Sequence, residues 1–469
     1  MDQPCTSVSE PARDVPVLAD YDVVVCGGGP AGCAAAIASA RLGARTLLVE
    51  KYGYLGGAAV AQLVCTVHST NGADLQGIWH EFMSGLLRRG AVRPFTAQRI
   101  DTTFDPEQTK YVWDELLSAA GADLLHHVHA AGAVVEQGAV RGVFAETCAG
   151  RRAILGRRVI DCTGDGMVAA AAGVPWEQGD GTTPWGMALS KVFRLGNAQW
   201  PETDPDPTTV RRVEKEWAEA VARGEFTLPE LARARDFAEK LRVRYGALPD
   251  YRREVRCMHH ARIYRVNPLD PWDLTRAERE GREQARQTAQ AYCRYMPGFE
   301  SAYLLDTSHM VGLRASRRLR GLATATAEDV KLLRKYPDGI ARCSWPVDIW
   351  PADKDQSRSS FSSTPEFPAW RDKLLAGDYY DIRYGCLVAQ GVDNLLMAGR
   401  CISCDFEAQA SLRIQQTCMA TGQAAGTAAA LSLAAGTVPR LLDPRLVAEQ
   451  LKKDRAAVAP AFDMRRIQG

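Results

Sequence analysis

Apolar positions along the chain change texture three times. Val23, Val24, Val25 and Cys26 form an unbroken apolar run, and Thr46 to Val49 repeats it one helix length later. Parallel strands buried on both faces need such runs, whereas half-exposed strands alternate. The pair predicts a βαβ unit. Asp105-Pro106-Glu107 predicts a helix start with Pro at the first helical position, and residues 111–120 continue at helical spacing. A strand-rich stretch follows from Asp123 to Asp161. The middle third turns charged and amphipathic from Val210 to Tyr245, and Thr275-Arg-Ala-Glu278 reads as a capping box opening a helix that ends near Gly298. After the loop SRSSFSSTPEFP, residues Asn394 to Ala398 predict a short apolar strand. A long Ala/Gly-rich helix then runs from about Gln416 to about Ala435.

With 469 residues the chain exceeds what one ordinary core supports, so two interlocked domains are expected. A net charge of +1 with 46% hydrophobic residues reads as a globular enzyme; it argues against a nucleic-acid partner. The thirteen cysteines form no framework, and MDQPCTSVSEPARD lacks the basic region of a secretory signal, so reduced thiols and a cytoplasmic location are expected. The apolar runs are interrupted by polar residues, and no membrane span is expected.

Gly27, Gly29 and Gly32 follow a strand and open a helix, with Pro30 and Ala31 between them. In that context a G-x-G-x-x-G pattern is a dinucleotide signal. Gly27 permits the tight turn, Gly29 clears the way for a pyrophosphate, and Gly32, with Ala36 a turn later, lets the helix approach the sheet. The helix N-terminus supplies the attraction for the anion. Glu50 ends the second strand, where a carboxylate accepts from both ribose hydroxyls and repels a 2′-phosphate, so NADP is disfavoured. These features alone leave FAD and NAD open. Lys51 and the turn Gly56-Gly57-Ala58 extend the site, and the chain returns twice with strand-to-turn segments, RRVIDCTGDG and NLLMAGRCISC. A dehydrogenase binding only NAD needs no second helix N-terminus so late.

With the fingerprint, the GYLGG turn, the IDxTGD return and the segment AGRCIS…EAQASLR…TCMATGQAAG, the sequence resembles the bacterial FAD-dependent oxidoreductases of the glutathione-reductase superfamily. The resemblance runs from Tyr21 to about Pro444 and implies non-covalent FAD. It places Thr163, Gly164 and Asp165 near the adenosine and pyrophosphate, and Gly399 and Arg400 near the ribityl chain. The helix start at Gln416 and Thr417 faces the flavin pyrimidine edge, and Val134 is added to the cofactor-binding residues. The implied fold class is α/β. A Rossmann-like FAD-binding domain, parallel sheet plus β-meander, spans 19–200 and 385–445, with an interleaved α+β substrate domain at 201–384, a flexible arm at 1–18 and a tail at 446–469. The sequence departs from the family pattern at Cys404, where a small residue is usual, and at Asp405-Phe406, where Thr-His is usual. If that His handles protons, Asp405 is the candidate replacement.

Other groups carry two readings each. Cys401 and Cys404 form a C-x-x-C, read as two packed thiols over a redox pair. Gly164-x-Gly166-x-x-Ala169 could serve a nicotinamide nucleotide, but the helix after it breaks at Gly173-Val-Pro175, which assigns it to the FAD site. His126, His127 and His129 lack a third ligand on one face and predict no metal. His259 lies in the substrate-side domain as a candidate catalytic residue. The run containing Arg314, Arg317, Arg318 and Arg320 is usually a solvated face, yet the resemblance makes Arg314 a candidate anchor for a carboxylate or for reduced flavin. Glu407 and Arg413 sit close to the expected flavin edge, with mutual pairing as the alternative. SWPVDIW does not match the WxWxIP pattern of flavin halogenases. The reaction expected is dehydrogenation of a small organic substrate by hydride transfer to flavin N5, with electrons passing to oxygen or another acceptor. A monooxygenase reduced by NAD(P)H and a non-catalytic flavin-binding or assembly protein are the alternatives; a homo-oligomer is left open.

Overall fold

The computed structural model describes residues 7–67, 69, 77–92, 103–199, 207–225, 255–257, 262–353 and 364–456. The first six strands are β1 (Val17–Cys26), β2 (Thr46–Glu50), β3 (Asp123–His126), β4 (His129–Glu136), β5 (Ala139–Thr147) and β6 (Gly150–Asp161). The main sheet runs β3-β2-β1-β6-β5-β4. It is parallel from β3 to β6, and β4, β5 and the first half of β6 form the antiparallel meander. The apolar run that predicted β1 is fully buried, as a strand covered on both faces requires. β1 begins earlier than Tyr21: Val17 pairs with Ala153, and Pro16 O accepts from Ala153 N, so the end of the expected arm is drawn into the sheet.

The remaining strands are β7 (Trp176–Glu177), β8 (Leu189–Ser190), β9 (Phe193–Gly196), β10 (Val255–Cys257), β11 (Arg262–Ile263), β12 (Tyr303–Thr307), β13 (Arg318–Leu319), β14 (Gly339–Cys343), β15 (Tyr380–Arg383) and β16 (Leu395–Met397). β16 lies parallel to the second half of β6. Register then decides where a ligand goes. Cys26 pairs with Val49 and with Asp161, and Met397 pairs with Asp161, so four parallel strands end level. Their exits, residues 27–32, 50–57, 162–166 and 398–401, meet at one edge, the crevice outside the carboxyl ends of strands where open α/β sheets bind ligands.

Helix Pro30–Arg41 and helix Gln415–Ala434 pack face to face on this sheet. Their approach is closer than side chains permit: a Cβ on Gly422 would stand 2.1 Å from Ala31 O, and one on Gly426 2.1 Å from Ala35 O. The Ala/Gly composition of the late helix follows from that contact.

Helix Pro106–Ala120 starts as its sequence predicts, with Asp105 accepting from the Glu107 and Gln108 amides. The helix expected from Thr275 begins instead at Pro271, capped by Asp270 accepting from Trp272 N, and runs to Tyr295. Thr275 bonds back to Pro271 O, and Glu278 turns to Lys191 at 2.6 Å. Of the expected stretch 210–245, helix Pro207–Ala222 is formed and 226–245 lies outside the described residues.

β9 pairs with β10 and β12, and β8 with β11, so residues 189–196 join the second unit before position 201. That unit has its own core of Phe193, Leu195, Tyr292 and Phe299. Conversely Ile340, Trp370 and Tyr380 share a core with Val23 and Ile37, returning much of the chain beyond Arg318 to the dinucleotide-binding unit. Among the described residues, no helix is long and apolar enough to cross a membrane.

Candidate active site

The glycine turn divides its labour as its sequence implies. Gly27 has φ +102°, and a Cβ there would lie 2.6 Å from Cys162 O. Gly32 could not carry a side chain either, since its Cβ would fall 1.7 Å from Gly27 O. Gly29 is different: its Cβ would meet nothing nearer than Gly57 Cα at 3.8 Å. Protein atoms therefore do not require glycine at 29, and the space beside it is what a pyrophosphate needs. Gly29 N-caps helix Pro30–Arg41 without a side-chain bond, so the first-turn amides of Ala31 and Gly32 are left to an anion. Gly57 faces it across the gap with φ +49° and N-caps the short helix Ala58–Ala61.

Glu50 is buried at the end of β2, its carboxylate accepting from Gly28 N at 2.5 Å and Tyr52 N at 2.9 Å. This ties the first loop to the second and fixes the carboxylate toward the crevice. Lys51 is exposed beside the Tyr52 ring at 5.0 Å. Val134 is not part of this edge. It lies well inside the meander, paired with Gly142, because the chain turns back at His127 (φ +58°) and β4 leads away. The residue that adjoins Glu50 at this edge is Val128, whose amide donates to Glu50 O at 3.0 Å.

The third loop is held by Asp161, fully buried at the end of β6. Its carboxylate accepts from Thr163 N and Oγ1 and from Ala169 N, while burial pushes it above the ordinary range. Gly164, at φ +76°, passes beside Arg400, and Asp165 pairs with Arg400 Nη2 at 2.7 Å while accepting from Ser316 Oγ at 2.7 Å. Burial alone would raise the Asp165 carboxyl; the Arg400 charge and the two hydrogen bonds more than offset it and hold it below the ordinary range. The helix after this turn spans only Met167–Ala171, as the early break implies. Gly399 (φ +83°) sits against Ala31, bringing the fourth loop back over the first. Gln416 and Thr417 are buried in the first turn of helix Gln415–Ala434, whose N-cap Ile414 offers no side-chain bond.

These turns and free amides fit the extended dinucleotide. Ala31 and Gly32 would hold its phosphates, Glu50 its ribose, and the start of helix Gln415–Ala434 its ring system.

Beside that edge lies a cluster the sequence only half disclosed. Arg314 donates to Ala188 O at 2.5 Å and Ser190 Oγ at 2.6 Å, and its guanidinium carbon is 4.7 Å from the Trp350 ring centre. Arg262, on β11, lies 4.5 Å from the same ring. Arg413 contacts Asp348 O at 3.2 Å and its carboxylate at 3.7 Å, and Trp350 Nε1 donates to Asp348 at 3.1 Å. β8 is the ruler for this arrangement. Ala188 N bonds to Trp350 O, Ser190 pairs with Arg262 across the strands, and Gly312 N bonds to Ser190 O. Lys191, 1% exposed, anchors the strand through Glu278. Burial first, and the charge of Arg413 next, press the Arg314 value down to about 9, the mark of a cation short of counter-charge. A guanidinium nevertheless stays protonated.

Several expectations change here. Asp405 is a double helix cap: one oxygen accepts from Ala408 N at 2.7 Å and the other from Ala327 N at 2.8 Å. Both oxygens are thus engaged with backbone amides, and the residue lines an open cavity of about 1230 Å³ with Glu177, Arg318 and Lys331. Glu407 pairs with Lys331 at 2.7 Å and not with Arg413, since the short helix Phe406–Leu412 sends the two apart. The arginine run is not a solvated face: Arg317 donates to Asp165 O, buried Arg318 to Gly179 O, and Arg320 pairs with Glu177. Cys401 and Cys404 are free, buried in different cores, and raised by burial, which suits packed thiols. His259 lies outside the described residues. Among the described residues no group of His, Cys, Asp and Glu could hold a metal. Arg262, Asp348 and Trp350 were missed. SWPVDIW carries the signal, two aromatics flanking a carboxylate.

Level strand ends feeding glycine turns and two uncapped helix starts define a Rossmann-like dinucleotide-binding protein. The family described as FAD dependent oxidoreductase matches residues 22–451, and the chain belongs to it. The chain is 36% identical over 163 residues to the tRNA uridine 5-carboxymethylaminomethyl modification enzyme MnmG of Geobacter sulfurreducens, covering 31% of this chain and 24% of that one. It is 58% identical over 45 residues to a dihydrolipoyl dehydrogenase of Trypanosoma brucei brucei, covering 10% of this chain and 9% of that enzyme. The chain thus spans less than a quarter of either curated relative. Among solved structures it is similar to a geranylgeranyl bacteriochlorophyll reductase-like protein from Thermoplasma acidophilum, at 12% identity and a TM-score of 0.43 over 93% of this chain and 84% of that one.

Proposed function

We propose that this oxidoreductase dehydrogenates a small organic substrate, an alcohol, an amine or a CH–CH unit. FAD, when bound, supplies the two-electron acceptor. The chain's own part is to bind and orient. With Asp405 committed to two helix caps, Arg314 and Arg413 are the residues left to position substrate, and the Trp350 ring covers Arg314 on one side. The observation that carries this reading is the convergence of Arg314 and Arg413 with Trp350 just before helix Gln415–Ala434, on the substrate-unit side of the strand ends.

A monooxygenase reduced by NAD(P)H is less well supported, because the second glycine turn opens a five-residue helix and its Asp165 is committed to Arg400. Anaerobic mixing tests the proposal. Bleaching of the flavin by a reduced organic substrate and not by NADH or NADPH is expected; rapid bleaching by either nucleotide would overturn it in favour of the monooxygenase. Photoreduced flavin that no oxidant turns over would favour a non-catalytic protein.

A further inference from the structure

The substrate side carries more positive charge than its neighbours offset. Arg262, Arg314 and Arg413 arrive from three separate segments, and among the described residues the one carboxylate paired with any of them is Asp348, 3.7 Å from Arg413. Arg314 spends its terminal nitrogens on neutral acceptors, Ala188 O and Ser190 Oγ. The Nε atoms of Arg262 and Arg413 are shielded from solvent without a hydrogen-bond partner. Guanidinium groups keep their charge when buried. A half-buried cation facing neutral or absent partners is disfavoured unless an anion completes the site.

We infer that the substrate is an organic acid whose carboxylate is held among Arg262, Arg314 and Arg413 beside the Trp350 ring. This rests on the dehydrogenase reading and narrows its substrate class. Carboxylate suits the site better than phosphate. Phosphate cradles use free backbone amides, and here the Arg262 amide is bonded to Gln284 Oε1 and the Gly312 amide to Ser190 O. Planar forks without amides match a planar carboxylate. The two guanidinium groups within 4.7 Å of one indole are also oriented before any ligand arrives, which preserves affinity.

The test uses the full chain loaded with FAD. Acetate and benzoate are titrated against their neutral counterparts acetamide and benzamide, and against inorganic phosphate, following the flavin absorbance band and the melting temperature. At least one carboxylate should perturb both saturably, with its amide and phosphate at least tenfold weaker. Arg262→Gln should weaken that carboxylate at least tenfold at unchanged flavin content, Arg262→Lys less. Arg286→Gln, on the outer surface beside Glu283, should change nothing. Should Arg262→Gln fail to fold, the Arg262→Lys comparison decides. Amides or phosphate binding as tightly as carboxylates, or carboxylate affinity indifferent to Arg262, would overturn the inference. Flavin retained without any carboxylate response removes this inference alone, whereas reduction by NADPH removes the reading beneath it.

Discussion

At the scale of single residues, Asp405 and Asp165 show how a carboxylate's partners decide its work. The Asp405 oxygens each accept one backbone amide, from Ala408 and Ala327, so the side chain joins two helix starts. Asp405→Asn keeps one acceptor and turns an amide NH₂ toward the other donor. It should cost about 1–3 kcal/mol of stability, as lost caps and unsatisfied donors do, while leaving the rate of flavin reduction within about twofold. Urea unfolding and anaerobic stopped-flow check this; a large loss of reduction rate at unchanged stability would restore a proton-transfer role. Asp165 differs in being held below its ordinary range by Arg400 and Ser316 against the pull of burial. A depressed folded value contributes stability in full above the unfolded carboxyl range, about 3.9, and loses it as pH falls through the folded value. The acid limb of the stability profile below about pH 4 should therefore be steeper in the native protein than in Asp165→Asn, as urea midpoints at stepped pH would show. Asp165 entered as a site residue through the family resemblance of its IDxTGD segment, and the structure shows it paired with Arg400. For Asp405 the sequence leaves two roles open, because a helix cap and a catalytic carboxylate read alike until the amides around them are placed.

At the scale of elements, two glycines set how closely the first and last helices of the dinucleotide-binding unit approach. Gly422 and Gly426 lie over the carbonyls of Ala31 and Ala35, and one methyl at either would stand 2.1 Å from an oxygen. Gly422→Ala and Gly426→Ala should each destabilise by about 1–3 kcal/mol despite the better helix propensity of Ala, because overpacking outweighs the roughly 1 kcal/mol of propensity gained. Gly422→Ala should also weaken FAD binding, since Ala31 belongs to the turn that would hold the phosphates. Thermal unfolding and flavin content check both, and a stabilised Gly422→Ala protein would contradict the packing. That a long Ala/Gly-rich helix exists was legible in the sequence, whereas its partner was not, because small residues announce close approach without naming the neighbour. The helix start at Thr275 was misread for a related reason. A Thr and a Glu three residues apart suit a capping box but also the interior of a helix, where Glu278 is free to reach Lys191.

At the scale of the whole molecule, the dinucleotide site is assembled from chain segments that lie far apart in sequence: 27–32, 50–57, 163–165 and 399–417. Covalent distance made the boundaries hard to read, for the chain leaves the first unit, builds β8 to β12, and returns to complete the sheet with β16. Sequence patterns report local texture, and residues 318–384 carry the same mixed texture whether they pack on one unit or the other. The same discontinuity makes the cofactor a structural tie. A ligand that binds the folded chain and not the unfolded one stabilises by RT ln(1 + [L]/Kd), about 4 kcal/mol when FAD is present at 1,000 times its Kd. Because Gly29, Glu50, Asp165 and the start of helix Gln415–Ala434 come from different segments, no part of the site can open without separating elements that pack in the shared core. Flavin release and loss of helical circular dichroism should therefore coincide in one thermal transition. FAD-stripped protein should melt lower and recover on adding FAD. Release of flavin well below the main transition would mean that the four loops open independently of the sheet, and that the level strand ends do not by themselves make a single site.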